Sequence, residues 1–317
     1  MSIIAPQIGI DVSKKALCVS INRGKAFTVS NSKEHLAGLV QRLPEGSVIN
    51  LEATGGYERL CARTLQSEGF EVRTHNALKT KRLAQAHGVK AKTDAMDAQH
   101  LSAHAGSLKP CARKSVARED LSDFVRAITS IKATLSEYRK RIALPELDED
   151  AALLFGSMIE MTSKVLKEAQ KDLVSRIGKN EEFKKNFLLA KSVPCIGEVT
   201  AAIVITELPE DFKARATNQI SSYTGIAPMD DESGNKRAPK HIRQGNKRLK
   251  AALYMPAITA ISRAPWAKEL YARLKAKGRT HQSAIVAVMR RLLVRVIAVL
   301  KRGTKWIEPQ TSKAIAR

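Results

Sequence analysis

The chain has 317 residues, enough for two or three domains, each with a core of its own. Its 54 Lys and Arg against 31 Asp and Glu leave a net charge of +23; a surplus of that size points to an anionic polymer as partner, because each neutralised phosphate releases condensed counterions. The 44% apolar content excludes a disordered chain, and the scattered Cys18, Cys61, Cys111 and Cys195 exclude a C-x-x-C zinc module and a disulfide frame.

In chain order, residues 7–12, 17–22 and 25–30 read as three short strands, broken by Ser13-Lys14-Lys15 and by the turn Asn22-Arg23-Gly24-Lys25. A helix from about Ser32 to Leu43 follows, then a buried strand at 47–51. Gly55-Gly56 opens a helix to about Glu68, Gly69 caps it, and Phe70 to Thr74 is the next strand. Basic helical segments run from Ala77 to Ala86 and from Thr93 to Ala105. Strands alternating with helices indicate an α/β domain with a mixed sheet. Three strands before the first helix suggest the ribonuclease-H arrangement rather than a doubly wound dinucleotide fold.

From Val116 to about Gly178 the apolar spacing becomes helical, with a break at Leu144-Pro145-Glu146. Two long helices there read either as an antiparallel coiled-coil arm or as a plain helical linker. Between Leu188 and Leu208, the phrase Ser192-Val193-Pro194-Cys195-Ile196-Gly197 between two helices has the helix-hairpin-helix pattern. Its backbone N–H groups and helix N-terminus, with Gly197 at the hairpin, suit a DNA phosphate. Tyr223 to Lys240 reads as loop, and Asn246 to about Arg302 as basic helix. The longest apolar stretch, Ala284 to Leu300, contains Arg290, Arg291 and Arg295, so it reads as a basic-faced helix and not as a membrane span. The N-terminus shows no signal-peptide pattern, and a cytoplasmic location is expected.

Four acids stand out. Asp11 ends the apolar run Ile8-Gly9-Ile10, Glu52 ends Val48-Ile49-Asn50-Leu51, and Asp94 and Asp97 are three apart in Lys92-Thr93-Asp94-Ala95-Met96-Asp97. Carboxylates at strand ends and on one helix face are what two Mg²⁺ ions need in order to hold a phosphodiester for in-line displacement. Taken singly, each is as readily a cap or a surface charge. Lys79, Lys81, Arg82, Lys90 and Lys92 precede Asp94 and are read as holding a nucleic-acid backbone. His75, His87, His100 and His104 lie close by; no acid completes H-E-x-x-H, and they are read as facing phosphate or solvent. Farther on, Ser233-Gly234 precedes Lys236, Arg237, Arg243, Lys247 and Arg248. A serine among such cations is either a turn residue or a nucleophile whose phosphate target is neutralised.

These motifs resemble a known family. Ile8-Gly9-Ile10-Asp11, Leu51-Glu52-Ala53-Thr54-Gly55 and Thr93-Asp94-Ala95-Met96-Asp97 are similar to the N-terminal DEDD domain of insertion-sequence family one-ten transposases, the bridge-RNA-guided recombinases. Val193-Pro194-Cys195-Ile196-Gly197, Tyr223-Thr224-Gly225-Ile226-Ala227-Pro228, Ser233-Gly234 and Ile242-Arg243-Gln244-Gly245-Asn246 resemble their C-terminal domain. The resemblance implies a RuvC-like domain over 1–112, a helical coiled-coil region over 113–187 used in dimerisation, and a mostly α transposase domain over 188–317. It further implies Asp11, Glu52, Asp94 and Asp97 as Mg²⁺ ligands and Ser233 as the nucleophile of a 5′-phosphoserine intermediate. Donor and target DNA, a guide (bridge) RNA and a homo-oligomer, dimer to tetramer, are the implied partners, in a nucleoid-associated setting. The alternative is a metal-dependent Holliday-junction resolvase-like nuclease without a serine nucleophile. Cys195 departs from the family, where glycine is usual.

Overall fold

The computed structural model describes residues 5–89, 93–111, 114–228, 232–233, 236–237, 242 and 245–308, with the backbone alone at 232–233 and 236–237. The chain divides into two compact units, Met1–Arg113 and Lys114–Arg317.

The first unit is built on five strands, β1 (Gln7–Val12), β2 (Ala16–Ile21), β3 (Phe27–Ser30), β4 (Val48–Glu52) and β5 (Glu71–His75). Their order is β3-β2-β1-β4-β5. β2 is antiparallel to both β1 and β3, while β4 runs parallel to β1 and β5. The sheet is therefore mixed, as the strand pattern had suggested. Helices α1 (Lys33–Val40), α2 (Glu58–Ser67), α3 (Ala77–Ala86) and α4 (Asp94–His104) complete the unit.

Side chains alternate along a strand, so each strand offers two faces. Ile8, Ile10, Val12, Leu17, Val19, Ile49 and Leu51 form an aliphatic core with Leu36 and Leu39 of α1 and Cys61 and Leu65 of α2. The opposite face is small and polar, with Gly9 of β1 paired to Ser20 of β2. There α4 packs against the sheet through Ala98, Leu101 and Ser102. One expected boundary shifts for a clear reason. The helix expected from Gly55 begins at Glu58, because Gly55 and Gly56 sit at φ +76° and +114°, outside helical space. The Glu58 carboxylate instead accepts from the Thr54 and Gly56 amides at 3.1 and 2.8 Å, capping the entry.

The second unit is helical. α5 (Val116–Ile142) and α6 (Glu149–Gly178) form a hairpin, with Tyr138 against Phe155 at a centroid distance of 6.1 Å. α7 (Glu181–Lys191), α8 (Glu198–Glu207) and α9 (Thr217–Thr224) follow, then the two-residue strands β6 (Glu232–Ser233) and β7 (Lys236–Arg237), and α10 (Lys247–Arg263), α11 (Pro265–Ala276) and α12 (His281–Arg302). α9 takes Tyr223 and Thr224 out of the expected loop, and Gly225 at φ +76° ends it as a left-handed C-cap. α12 buries Ile285, Val288, Leu292, Val296 and Leu300, which makes it the centre of this core. Its Arg295 guanidinium lies 3.7 Å from the centroid of Trp266. Among the described residues no helix is long and apolar enough to cross a membrane.

Candidate active site

β1 and β4 are parallel neighbours in a register that pairs Ile10 with Leu51. The next residues of the two strands are Asp11 and Glu52, so the register sets both acids at the same end of the sheet. Asp11 shares its face with Gly9, two residues back, because side chains repeat every second position. That face is where α4 docks. A Cβ built on Gly9 would lie 2.1 Å from the Ala98 carbonyl oxygen and 2.3 Å from the Ser102 amide nitrogen. Only glycine admits the helix this closely. Asp94 and Asp97 occupy the first turn of the same helix, a turn before Ala98 and Leu101. α4 thus delivers its two acids toward the Asp11 end of β1.

Local chemistry fixes the start of α4. Thr93 is its N-cap and accepts from the Met96 amide at 3.2 Å, and acids in a first turn complement the helix dipole. The Cys18 thiol, paired across β1–β2 with Asp11, is held above its ordinary pKa. Burial is the largest cause, and the charges of Asp94 and Asp11 add to it despite an opposing hydrogen bond from Thr28. Asp94 and Asp11 therefore act on one sulfur from two elements. Asp11, Glu52 and Asp97 are half-buried and Asp94 is exposed, which leaves the acids open to an incoming phosphate. The donor set is all hard oxygen, the kind Mg²⁺ takes.

Thr80, buried on α3, donates its hydroxyl to Glu52 Oε2 at 2.5 Å, a positioning contact that the sequence reading missed. Lys79, Lys81 and Arg82 are exposed on α3, while Lys90 and Lys92 lie outside the described residues. The histidines require correction. His75 faces neither phosphate nor solvent; it is fully buried on β5, with Nε2 3.0 Å from Asn50 Oδ1. Burial, then the Arg73 charge, holds it below its ordinary pKa. His87, His100 and His104 face one another, with ring centroids 4.1–5.3 Å apart; His87 is also exposed to solvent, as expected, and the other two are half-buried.

In the second unit, Ser233 ends β6 and pairs with Lys236 at the start of β7, which is followed by Arg237. Gly234, Arg243 and Gln244 fall outside the described residues. Both flanks of this loop are anchored at one point. Gly245 at φ +89° presses on the α9 cap, where a Cβ would lie 2.3 Å from the Gly225 nitrogen. Asn246 caps α10, accepting from the Arg248 and Leu249 amides at 3.1 Å each, and donates Nδ2 to Glu207 Oε2 at 2.8 Å. Buried Glu207 also accepts from Ser122 at 3.0 Å and pairs with Lys114 at 3.2 Å and Arg248 at 3.3 Å. Burial alone would raise Glu207, but Lys114, Asn246, Ser122 and Arg248 together hold it below its ordinary pKa. Arg248 is thus partly committed to a structural acid, whereas Lys247 is exposed. The sequence reading passed over Glu207; an acid one residue beyond the apolar run Ile203-Val204-Ile205, after Thr206, was its visible signal.

The turn Ser192–Gly197 joins α7 to α8. Cys195 adopts φ +70° there, the left-handed conformation for which glycine is the cheapest residue. Gly197 is the exposed N-cap of α8, and Glu198 binds Lys191 Nζ at 2.6 Å across the turn.

A mixed sheet with acids at one end, followed by a helical unit bearing a serine hairpin, is the arrangement expected of the DEDD transposases that the motifs resemble. Comparison with known proteins agrees. A family model described as "Transposase", for the DEDD domain, matches residues 8–143, and one described as "Transposase IS116/IS110/IS902 family" matches residues 188–272. The chain is 23% identical over 314 residues to the "Pilin gene-inverting protein" of Moraxella lacunata, covering 93% of this chain and 96% of that protein. It is 24% identical over 279 residues to the "Transposase for insertion sequence element IS1111A" of Coxiella burnetii, covering 78% and 75%. Over 114 residues it is 30% identical to the "Insertion element IS110 uncharacterized 43.6 kDa protein" of Streptomyces coelicolor, covering 36% and 28%. The chain belongs to the IS110 family of transposases and is a DNA transposase/recombinase.

Proposed function

We propose that the protein cuts and rejoins DNA by transesterification, with Asp11, Glu52, Asp94 and Asp97 as metal ligands and Ser233 as nucleophile, under the direction of a guide RNA. The observation that supports this most is the contact of Gly9 with α4, which gathers acids from two strands and a helix at one sheet end. The strand order β3-β2-β1-β4-β5 fits a RuvC-like, ribonuclease-H arrangement. Mg²⁺ on these carboxylates would neutralise charge on the phosphoryl oxygens during in-line displacement. Thr80 would hold Glu52 in its ligating rotamer. The Ser233 hydroxyl would attack the phosphorus, giving a 5′-phosphoserine and releasing a 3′-hydroxyl. Attack by that hydroxyl, or by one from a partner strand, would reseal the DNA and return the serine. Lys236, Arg237, Arg243 and Lys247 would offset the charge of the phosphate.

The basic face of α3, with Lys79, Lys81 and Arg82, and the exposed amides at Gly197 would grip backbone without reading bases. Site choice would then fall to RNA pairing. α6 leaves Leu154, Met158, Met161 and Val165 exposed at heptad spacing, which suits a second copy of the chain and a homo-oligomer. The test is strand cleavage of element-end DNA by protein with and without its co-purifying RNA. Asp11→Asn and Glu52→Gln are expected to abolish cleavage while DNA and RNA binding persist. Cleavage that survives both substitutions and a chelator would refute the carboxylate site, and site-specific recombination by RNA-free protein would refute guidance.

A further inference from the structure

We propose that His87, His100 and His104 form a second metal site, one that takes a borderline-soft divalent ion of the zinc class rather than Mg²⁺. The three side chains bring one ring nitrogen each to within 4.8 Å of the others, and His87 Nδ1 is 3.1 Å from His100 Nε2. The sequence builds this locally. His100 and His104 are one helical turn apart on α4 and so share a face. His87 is the C-cap of α3, and Gly88 at φ +73° then turns the chain away. The end of α3 is thereby set against the middle of α4.

The dimensions suit a tetrahedral ion. Zinc–nitrogen bonds of roughly 2.0–2.1 Å make the edge between two ligands about 3.3 Å. One edge is already at 3.1 Å, and rotation of the third ring closes the others. Without an ion the arrangement is awkward, because a third imbidazole cannot share the proton that bridges the first two. Burial first, then the neighbouring imidazoles and Arg23, hold His100 and His104 below their ordinary pKa. Near neutral pH their lone pairs are free for a metal. Imidazole favours zinc, copper and nickel, whereas Mg²⁺ takes oxygen, so this site and the carboxylates select different ions.

The rings open onto a cavity of about 350 Å³ that Arg23, Met96 and Gln99 also line. It leaves room for a fourth ligand, and the Arg23 guanidinium favours hydroxide or another anion there. An anion site without metal is the competing use of this cavity, but it calls for protonated imidazoles, which burial and Arg23 oppose. The ion would join α3 to α4, the helix whose first turn carries Asp94 and Asp97. Its role is structural: it links the two helices and steadies the acids without touching substrate.

Zn²⁺ and Co²⁺ titrations of the full chain in excess Mg²⁺, which saturates oxygen sites, test this. The expected result is one equivalent bound, tetrahedral visible absorption with Co²⁺, proton release and a raised Tm. His100→Ala and His104→Ala should each weaken binding by more than about 100-fold, beyond the scale of losing an outer-shell partner. His87→Ala should do the same, and His87 is exposed, so that variant folds. Absence of binding, binding unchanged in all three variants, or a Tm shift with inorganic phosphate and none with Zn²⁺ would each overturn the assignment.

Discussion

Gly9→Ala tests how the proposed acid site is assembled, because it changes no acid and no cation. The new Cβ would lie 2.1 Å from the Ala98 carbonyl and 2.3 Å from the Ser102 amide, both of them backbone atoms. Since ordinary contact begins near 3.4 Å, α4 must retreat by about 1.3 Å. Overpacking of this kind costs about 1–3 kcal/mol. The larger effect falls on chemistry, because Asp94 and Asp97 move with the helix, and an error of about 1 Å in a reacting geometry can cost 100-fold in rate. Strand cleavage at saturating DNA, measured alongside Tm, is the assay. Gly38→Ala is the control, since Gly38 is exposed inside α1 with nothing within 4 Å of its Cβ. That substitution should leave the rate unchanged and stabilise by about 0.5–1 kcal/mol through helix propensity. Wild-type cleavage by Gly9→Ala at an unchanged Tm would refute the idea that this contact sets the acids.

Three further outcomes follow from the second unit. Gly245→Ala puts a Cβ 2.3 Å from the Gly225 nitrogen at φ +89°; it should lower Tm and cleavage together, and unchanged cleavage would separate this anchor from the serine loop. Glu207→Gln should cost about 1–3 kcal/mol at pH 7 by leaving half-buried Lys114 without its countercharge. Because the folded pKa of Glu207 is depressed, its contribution is full above its unfolded value of about 4.3 and is lost as pH falls through the folded value. The Tm gap between wild type and variant should therefore narrow in acid, and a gap constant from pH 7 to pH 3 would contradict the network. Met161→Glu, at a side chain 70% exposed on α6, should lower the sedimentation mass without lowering Tm; an unchanged mass would remove α6 from the oligomer interface.

The sheet and the acids were legible for the same reason. Ile8-Gly9-Ile10-Asp11 and Val48-Ile49-Asn50-Leu51-Glu52 are buried runs that stop on a charge, and parallel pairing in register sets those charges side by side. The helix that completes the set was visible as Asp94 and Asp97 on one face, but its docking point was not. Gly9 looked like an ordinary strand residue until α4 lay against it. Thr80 and Glu207 act through partners 28 and 39 residues away, Glu52 and Asn246, and no local pattern reports such pairs. His87 illustrates the same limit: the i, i+4 pair on α4 was plain, but the third imidazole comes from a helix cap that only the fold brings near. Cys195 is the converse case, a departure from the usual glycine that the backbone tolerates at φ +70°.

The division of labour between acids and serine is tested most directly by trapping. Wild-type protein is incubated with guide RNA, Mg²⁺ and DNA labelled on the 3′ side of the scissile phosphate, quenched in denaturant and mapped by mass spectrometry. The expected product is a phosphodiester link between DNA and Ser233, absent from Ser233→Ala and from Asp11→Asn, with DNA binding retained in both. Full cleavage by Ser233→Ala with no covalent adduct in the wild type would contradict it, and would leave a metal-dependent nuclease that cuts with water.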